Sequence, residues 1–337
     1  MHFTYNADKS IWTSVLGSLL SEYSIFAPFR FDNHLEYSAV TKNNLDDIIY
    51  NQPKPSSPLK TFFLPVKENV TRSYAEKDNR IIIGIPACDL NALSLLDEIY
   101  LNKDYIDPGY SHYRGNTLLI GCDCHTINEH CHCTSYGFHP YPDENADIVL
   151  SRTGDNIILV PKSGKGKIFL KNYFEDHKKE SPEEIQKIEE IRASVEKQLE
   201  KKNKDLPGYK QTGNLIIQSE EDIWQKYSDN CVSCGACSAI CPTCSCFLFI
   251  ERPGFEKVRS IDTCQYPGFE RVASGDDPLR PLFKRFRNRY LCKYVWKPEK
   301  FASKACTGCG RCIEACIGEI NKNDLFKELK IKVTSET

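Results

Sequence analysis

No uninterrupted apolar stretch in this 337-residue chain approaches the roughly 18 residues a membrane-spanning helix needs, so an anchor of that kind is not expected. The opening residues MHFTYNADKS carry no apolar h-region, so export to an oxidising compartment is not expected either. Disulfides are therefore a poor explanation for any cysteines, and the cytoplasm is the expected address. Phosphate-cradling glycine motifs are missing too: SGKGK at 163–167 lacks the spacing and the following Ser or Thr of a P-loop, and no G-x-G-x-x-G occurs. Nicotinamide or flavin held wholly by this chain is thereby disfavoured. Charge of one sign is not in excess, with 44 Lys and Arg against 46 Asp and Glu and a formal charge of -2. Nucleic acid finds no overall electrostatic footprint here. Hydrophobic content of 40% and charge of 27% are ordinary for a soluble globular protein, and the length has room for two domains of about 100–200 residues.

Cysteine is what the chain has in abundance, with 17. Eight of them form two copies of C-x2-C-x2-C-x3-C: Cys231, Cys234, Cys237 and Cys241, then Cys306, Cys309, Cys312 and Cys316. This is the bacterial ferredoxin spacing, in which three closely spaced thiolates cap one 4Fe-4S cluster and the fourth ligates the other. The expected sets are Cys231, Cys234, Cys237 and Cys316 for cluster one, and Cys306, Cys309, Cys312 and Cys241 for cluster two. Gly235, Gly308 and Gly310 fall inside the loops, where amides must approach cluster sulfurs. Pro242 completes the C-P ending of the first run; Ile317 stands at that position in the second. Zinc is the competing reading, since C-x2-C knuckles also build tetrahedral sites, but such knuckles are usually separated by a longer insert. Between the runs lies a basic stretch, Arg280, Lys284, Arg285, Arg287 and Arg289. It reads as a solvated face, or as a docking patch for an acidic partner or a flavin phosphate.

The rest of the chain predicts an α/β domain ahead of the ferredoxin-type one. SIWTSVLGSLL is amphipathic and SIFAPFRF strand-like, while NQPKPSSPLK is a loop by composition. IIIGI at 81–85 and TLLIG at 117–121 suit buried parallel strands, with NALSLLDEIYL helical between them and Asp89 or Asn91 as its cap. ADIVLSRTGDNIILV reads as a hairpin. The segment from Ser181 is a strong helix, with Pro182 in its first turn, acids early and lysines late. The predicted fold class is α+β or α/β: an N-terminal α/β domain over 1–176, a helical spacer or lid over 177–222 and a dicluster 4Fe-4S domain over 223–337.

Nine cysteines remain. Cys88 and Cys122 each follow a predicted buried strand, and Cys131 and Cys133 sit on the next loop. Parallel strands deliver their C-terminal ends to one sheet edge, where α/β proteins gather ligands. Four thiols is the number a third 4Fe-4S cluster needs, with zinc and plain packing as alternatives. Cys124, His125, His130 and His132 are substitute donors on the same loop. Cys244, Cys246, Cys264 and Cys292 offer a fourth site, or packing within a cluster-rich core.

CVSCGACSAICPTCSCF, followed by DTCQ, RFRNRYLCK and CTGCGRCIEAC, closely resembles the iron-sulfur β subunit of cytosolic NiFe sulfhydrogenases coupled to NAD(P)H. PACDLNALSLLDEIYL and the loop from Cys122 to Cys133 resemble the same family, and the likeness runs from about residue 10 to 320. The A-type iron-sulfur component of anaerobic sulfite reductase and the iron-sulfur subunit of flavin oxidoreductases linked to heterodisulfide reductase are similar too; RFRNRYLCK favours the sulfhydrogenase branch. The resemblance implies a non-catalytic relay subunit; cluster-bound iron in low-potential carriers is expected to be oxygen-sensitive, which fits an anaerobe's cytoplasm. Such a subunit would carry single electrons between a flavoprotein subunit, which oxidises NAD(P)H, and a catalytic subunit. The resemblance also supports Cys88, Cys122, Cys131 and Cys133 as the additional ligands. A free-standing ferredoxin-like carrier is the alternative of another class.

Overall fold

The computed structural model describes residues 4–71, 73–74 and 78–335. Among the described residues, eleven strands fall into two sheets. The larger uses β1 (Thr4–Asp8), β2 (Ser24–Phe31), β3 (His34–Ala39), β5 (Arg80–Pro86), β6 (Thr117–Cys122), β7 (Ile148–Thr153), β8 (Asn156–Pro161) and β9 (Lys178–Lys179). The smaller pairs β4 (Lys67–Asn69) with the hairpin β10 (Phe247–Arg252) and β11 (Glu256–Ile261). In the order β3-β2-β5-β6-β7-β8-β1-β9, the four strands β2, β5, β6 and β7 run parallel and the other pairs are antiparallel. Both strands predicted around residues 81–85 and 117–121 are central, and the hairpin at β7 and β8 turns at Gly154 with φ +67.

Helices α1 (Lys9–Leu19) and α4 (Gly164–Phe174) cover one face of this sheet, burying Trp12, Leu16, Leu19, Phe169, Leu170 and Phe174 against Ile81, Ile83, Leu118 and Ile120. On the other face α2 (Ala87–Tyr100) and α3 (Pro108–Gly115) pack Leu90, Leu93, Leu96 and Tyr110 against Ile82, Ile85 and Leu119. Side chains alternate across a strand. Gly84 interrupts that alternation at φ +75, shifting the register between Ile83 and Ile85, and a Cβ there would lie 2.6 Å from Pro28.

The predicted spacer is divided between two cores. Helix α5 (Pro182–Lys202) starts at Ser181, whose side chain makes no capping bond, and buries Ile188, Val195 and Leu199. It is tied to the sheet by Arg192, which donates to both carboxylate oxygens of Asp123 at 2.9 and 3.0 Å. Helices α6 (Tyr209–Gln218) and α7 (Glu221–Ser228) instead join a second core with α9 (Leu282–Leu291) and α12 (Lys322–Ser335), built on Leu215, Trp224, Phe286, Tyr290 and Phe326. Between them run the short helices α8 (Ala236–Ala239), α10 (Lys297–Phe301) and α11 (Arg311–Glu314). Among the described residues no helix is long and apolar enough to cross a membrane.

The two cores meet where β5 and β6 end. Asp89, expected to cap a helix from outside, lies within the first turn of α2, whose N-cap position is Pro86. Its carboxylate is buried and accepts from Arg311 Nη1 and Nη2 at 2.6 and 2.8 Å, while Arg311 Nε donates to the Pro55 carbonyl at 2.9 Å. A buried ion pair adds little over an apolar contact, but removing one partner strands the other charge. Asp89→Asn should lower stability by about 3–5 kcal/mol in urea unfolding, whereas Asp89→Leu with Arg311→Met should recover much of the loss. A change within about 0.5 kcal/mol for the single variant would remove this contact as the clamp between the cores.

Candidate iron-sulfur sites

Both C-x2-C-x2-C-x3-C runs fold as loops leading into one-turn helices, α8 and α11, each opened by a glycine in the left-handed region: Gly235 at φ +74 and Gly310 at φ +79. Cys231, Cys234, Cys237 and Cys316 line one cavity together with Cys312. Cys241, Cys306, Cys309 and Cys312 line a second. The fourth cysteine of each run thus stands with the first three of the other. These cavities contain about 510 and 360 Å³ free of protein atoms, part of it continuous with solvent.

A third cavity, with about 390 Å³ free of protein atoms and part of it continuous with solvent, lies at the C-terminal edge of β5 and β6, lined by Cys88, Cys124, Cys131 and Cys133 with Cys309 and Lys54. Cys122 is not among its lining residues. Alternation along β6 puts Cys122 on the same face as Leu118 and Ile120, inside the core beneath α1 and α4. Only after the strand ends does the chain bring a thiol to the cavity, and that thiol is Cys124, whose amide donates to the Pro140 carbonyl at 2.9 Å. The candidate histidines also stand aside. His132 is buried with both ring nitrogens engaged, accepting at Nε2 from Lys322 Nζ at 2.8 Å and donating from Nδ1 to the His130 carbonyl at 2.7 Å. His125 and His130 do not line the cavity; His139 does.

The three cavities adjoin. Cys312, Arg289, Tyr290 and Lys322 belong to the walls of both the first and the second, and Cys309 to those of the second and third. Close backbone approach makes this contact. His132 N donates to the Gly308 carbonyl at 2.9 Å, and a Cβ on Gly308, at φ +71, would lie 2.6 Å from the backbone of Cys133.

Burial pushes the Cys133 and Cys309 thiols up to about 12 and raises Cys88 and Cys124 well above the ordinary thiol value. Ionised sulfur here requires positive charge. Lys293 is buried and its Nζ donates to Cys241 Sγ at 3.0 Å, Thr243 Oγ1 at 2.8 Å and the Ala305 carbonyl at 3.2 Å. A hydrogen bond from the Cys244 thiol, helped by Lys293 and Arg289, holds Cys241 well below the usual thiol value despite its burial. Lys54 reaches Glu314 at 2.8 Å and Cys131 Sγ at 4.0 Å. The basic stretch, read from sequence as a solvated or docking face, turns partly inward: Arg285 and Arg289 are buried, and Arg289 donates to the Cys237 carbonyl at 2.9 Å. Arg285, Arg289, Lys293 and Lys297 recur every four residues, the spacing of one helix face. That stripe was the available signal for Lys293 and Lys297, which lie beyond the basic stretch read from sequence.

Thiols spread around a cavity suit a multi-iron cube better than one zinc ion. Among the described residues no three His, Cys, Asp or Glu side chains converge on a single metal ion. The fold and these sites define an electron-transfer iron-sulfur subunit. Residues 230–320 match the family described as 4Fe-4S dicluster domain. The chain is 28% identical over 321 residues to sulfhydrogenase 2 subunit beta of Pyrococcus furiosus, across 91% of this chain and 92% of that protein. Over nearly its whole length the chain is thus similar to an iron-sulfur subunit, and the match at residues 230–320 supports 4Fe-4S clusters there.

Gly308→Ala adds a Cβ where Cys133 stands and a residue that resists positive φ. It should cost at least about 1–3 kcal/mol and lower the thermal midpoint. An unchanged midpoint would mean that the approach of the two loops is not tightly held.

Proposed function

We propose that this chain is the relay subunit of a multi-subunit oxidoreductase, passing single electrons between a flavoprotein subunit that oxidises NAD(P)H and a catalytic subunit of hydrogenase type. The observation that carries the reading is the row of three cavities with shared cysteine walls. The likeness to a protein named as a sulfhydrogenase subunit favours hydrogenase over sulfite reductase or heterodisulfide-linked partners. Bound clusters would supply one-electron couples; the chain's own residues hold and space them. Cys231, Cys234, Cys237 and Cys316 are the ligands of the first, Cys306, Cys309, Cys312 and Cys241 of the second. Cys88, Cys124, Cys131 and Cys133 are those of a third.

Each part of the surrounding protein has a task in this scheme. Lys293 donates to the ligating sulfur of Cys241, a contact that favours the reduced, more negative centre and raises its potential. At the outer end Cys234, Val232 and Ile317 are exposed, so an electron can leave there to a docked subunit. The sheet domain, with α5 braced against it, carries the opposite end. The expected address is the cytoplasm.

Purification of the native complex tests the partner assignment. A flavoprotein and a hydrogenase-type subunit should co-purify with the chain. A stable monomer without partners would favour a free-standing carrier, and sulfite turnover by the complex would favour the sulfite reductase type.

The ligand sets make sharper predictions. Cys316→Ser should perturb the centre capped by Cys231, Cys234 and Cys237 and leave the other dicluster signal in place, as read by electron paramagnetic resonance; loss of only the Cys306-capped centre would contradict the crossover. Cys124→Ser should remove a third signal that Cys122→Ser retains. The opposite outcome would return Cys122 to the ligand set.

A further inference from the structure

Five cysteines lie outside the three cavities. Cys122 is in the sheet core, and Cys292 sits beside Tyr209. The remaining three, Cys244, Cys246 and Cys264, are brought together by local structure. Cys244 follows Cys241 through a turn in which its amide donates to the Cys241 carbonyl at 3.3 Å, and the two thiols share a hydrogen bond. Cys246 immediately precedes β10, and Cys264 follows β11. Their pairing continues past the strands, with Asp262 N donating to the Cys246 carbonyl at 3.1 Å, and closes the Cys246 thiol into a hydrogen bond with Cys264. Gln265 Nε2 lies 3.5 Å from Cys264 Sγ.

Two lysines stand beside this trio without a carboxylate partner. Lys60 is 2% exposed, yet its ammonium donates only to the carbonyls of Cys244 at 3.0 Å and Ser238 at 3.4 Å. Lys297, half-buried, donates to the Thr243 carbonyl at 2.9 Å and Ser245 Oγ at 3.0 Å. Neither forms an ion pair with a carboxylate among the described residues. An ammonium buried against carbonyl dipoles alone is costly unless an anion offsets it. A pocket lined by Cys244 and Cys246 opens between Lys60, Tyr100 and Arg259, with Asp262 as the carboxylate in its wall.

We propose that Cys244, Cys246 and Cys264 hold a further iron-sulfur centre beside the one assigned to Cys241, Cys306, Cys309 and Cys312. Three states of these thiols compete. Neutral packing thiols and a Cys246–Cys264 disulfide carry no charge, so neither adds an anion beside Lys60 and Lys297 to the one the Cys241 site supplies. Zinc would need the thiols to meet at one point, which no three do among the described residues. A thiolate-held iron-sulfur centre is anionic and spans separated sulfurs, and its assembly releases the thiol protons. Asp262 is placed to complete the coordination that three cysteines leave open. This centre rests on the dicluster reading only in needing the same iron and sulfide supply.

The test uses the full chain, reconstituted anaerobically with ferrous iron and sulfide, with iron, zinc and acid-labile sulfide measured per chain. Cys246→Ser and Cys264→Ser should each lower iron by one centre's complement, about a quarter of the total if all four centres are cubes, while the dicluster signals persist. Cys88→Ser, run in parallel, should remove a different complement. Loss in Cys88→Ser with none in Cys246→Ser or Cys264→Ser overturns the fourth centre and leaves the three-centre relay. The reverse pattern sustains it and removes the N-terminal site instead. If the serine variants do not fold, thiol labelling of the wild type decides: Cys244, Cys246 and Cys264 should be protected in the iron-loaded protein and labelled after chelation. Labelling before chelation, bound zinc, or a reductant-dependent disulfide between Cys246 and Cys264 would each overturn the proposal.

Discussion

Ionised sulfur buried in a protein must have positive charge beside it, and the placement of that charge organises this chain. Arg289 and Lys322 stand in the shared wall of two cavities, Lys293 bonds to the Cys241 sulfur, and Lys54 reaches toward Cys131 from the other core. Arg311, two residues beyond Cys309, is spent on Asp89 and so welds the cysteine loops to the sheet. Without anionic partners most of these cations would be costly to bury. The same side chains that make thiolates tolerable therefore hold the architecture in place, which couples cofactor loading to folding.

That coupling explains why a large N-terminal sheet accompanies a small ferredoxin-type unit. The parallel strands β5 and β6 end at one edge, and the loops beyond them carry Cys88, Cys124, Cys131 and Cys133 against the Gly308 turn. A two-cluster domain alone would leave Cys309 and Arg311 at a surface. Docked on the sheet edge, they become interior, and the row of cavities gains a third member.

Much of this was legible in the sequence, for identifiable reasons. The two cysteine runs, the central strands and the hairpin at Gly154 are local patterns, and local patterns survive folding. The choice between Cys122 and Cys124 was not, because it depends on where β6 stops and the two-residue alternation ceases to apply. Asp89 looked like a helix cap from its type and position; only the approach of Arg311 from over 200 residues away gives it another use. Arg285 and Arg289 looked like surface charge because basic residues usually are, and their burial becomes visible only once the helix that carries them packs against the cysteine loops.

Iron-sulfur centres that lie side by side in one connected row must sense one another's spins. Electron paramagnetic resonance of the fully reduced, reconstituted chain tests this most directly, because neighbouring paramagnetic clusters couple when they are close. Broadened, split signals that simplify when one centre is removed are predicted. A sum of sharp, independent signals, unchanged in shape as centres are removed one by one, would contradict the row.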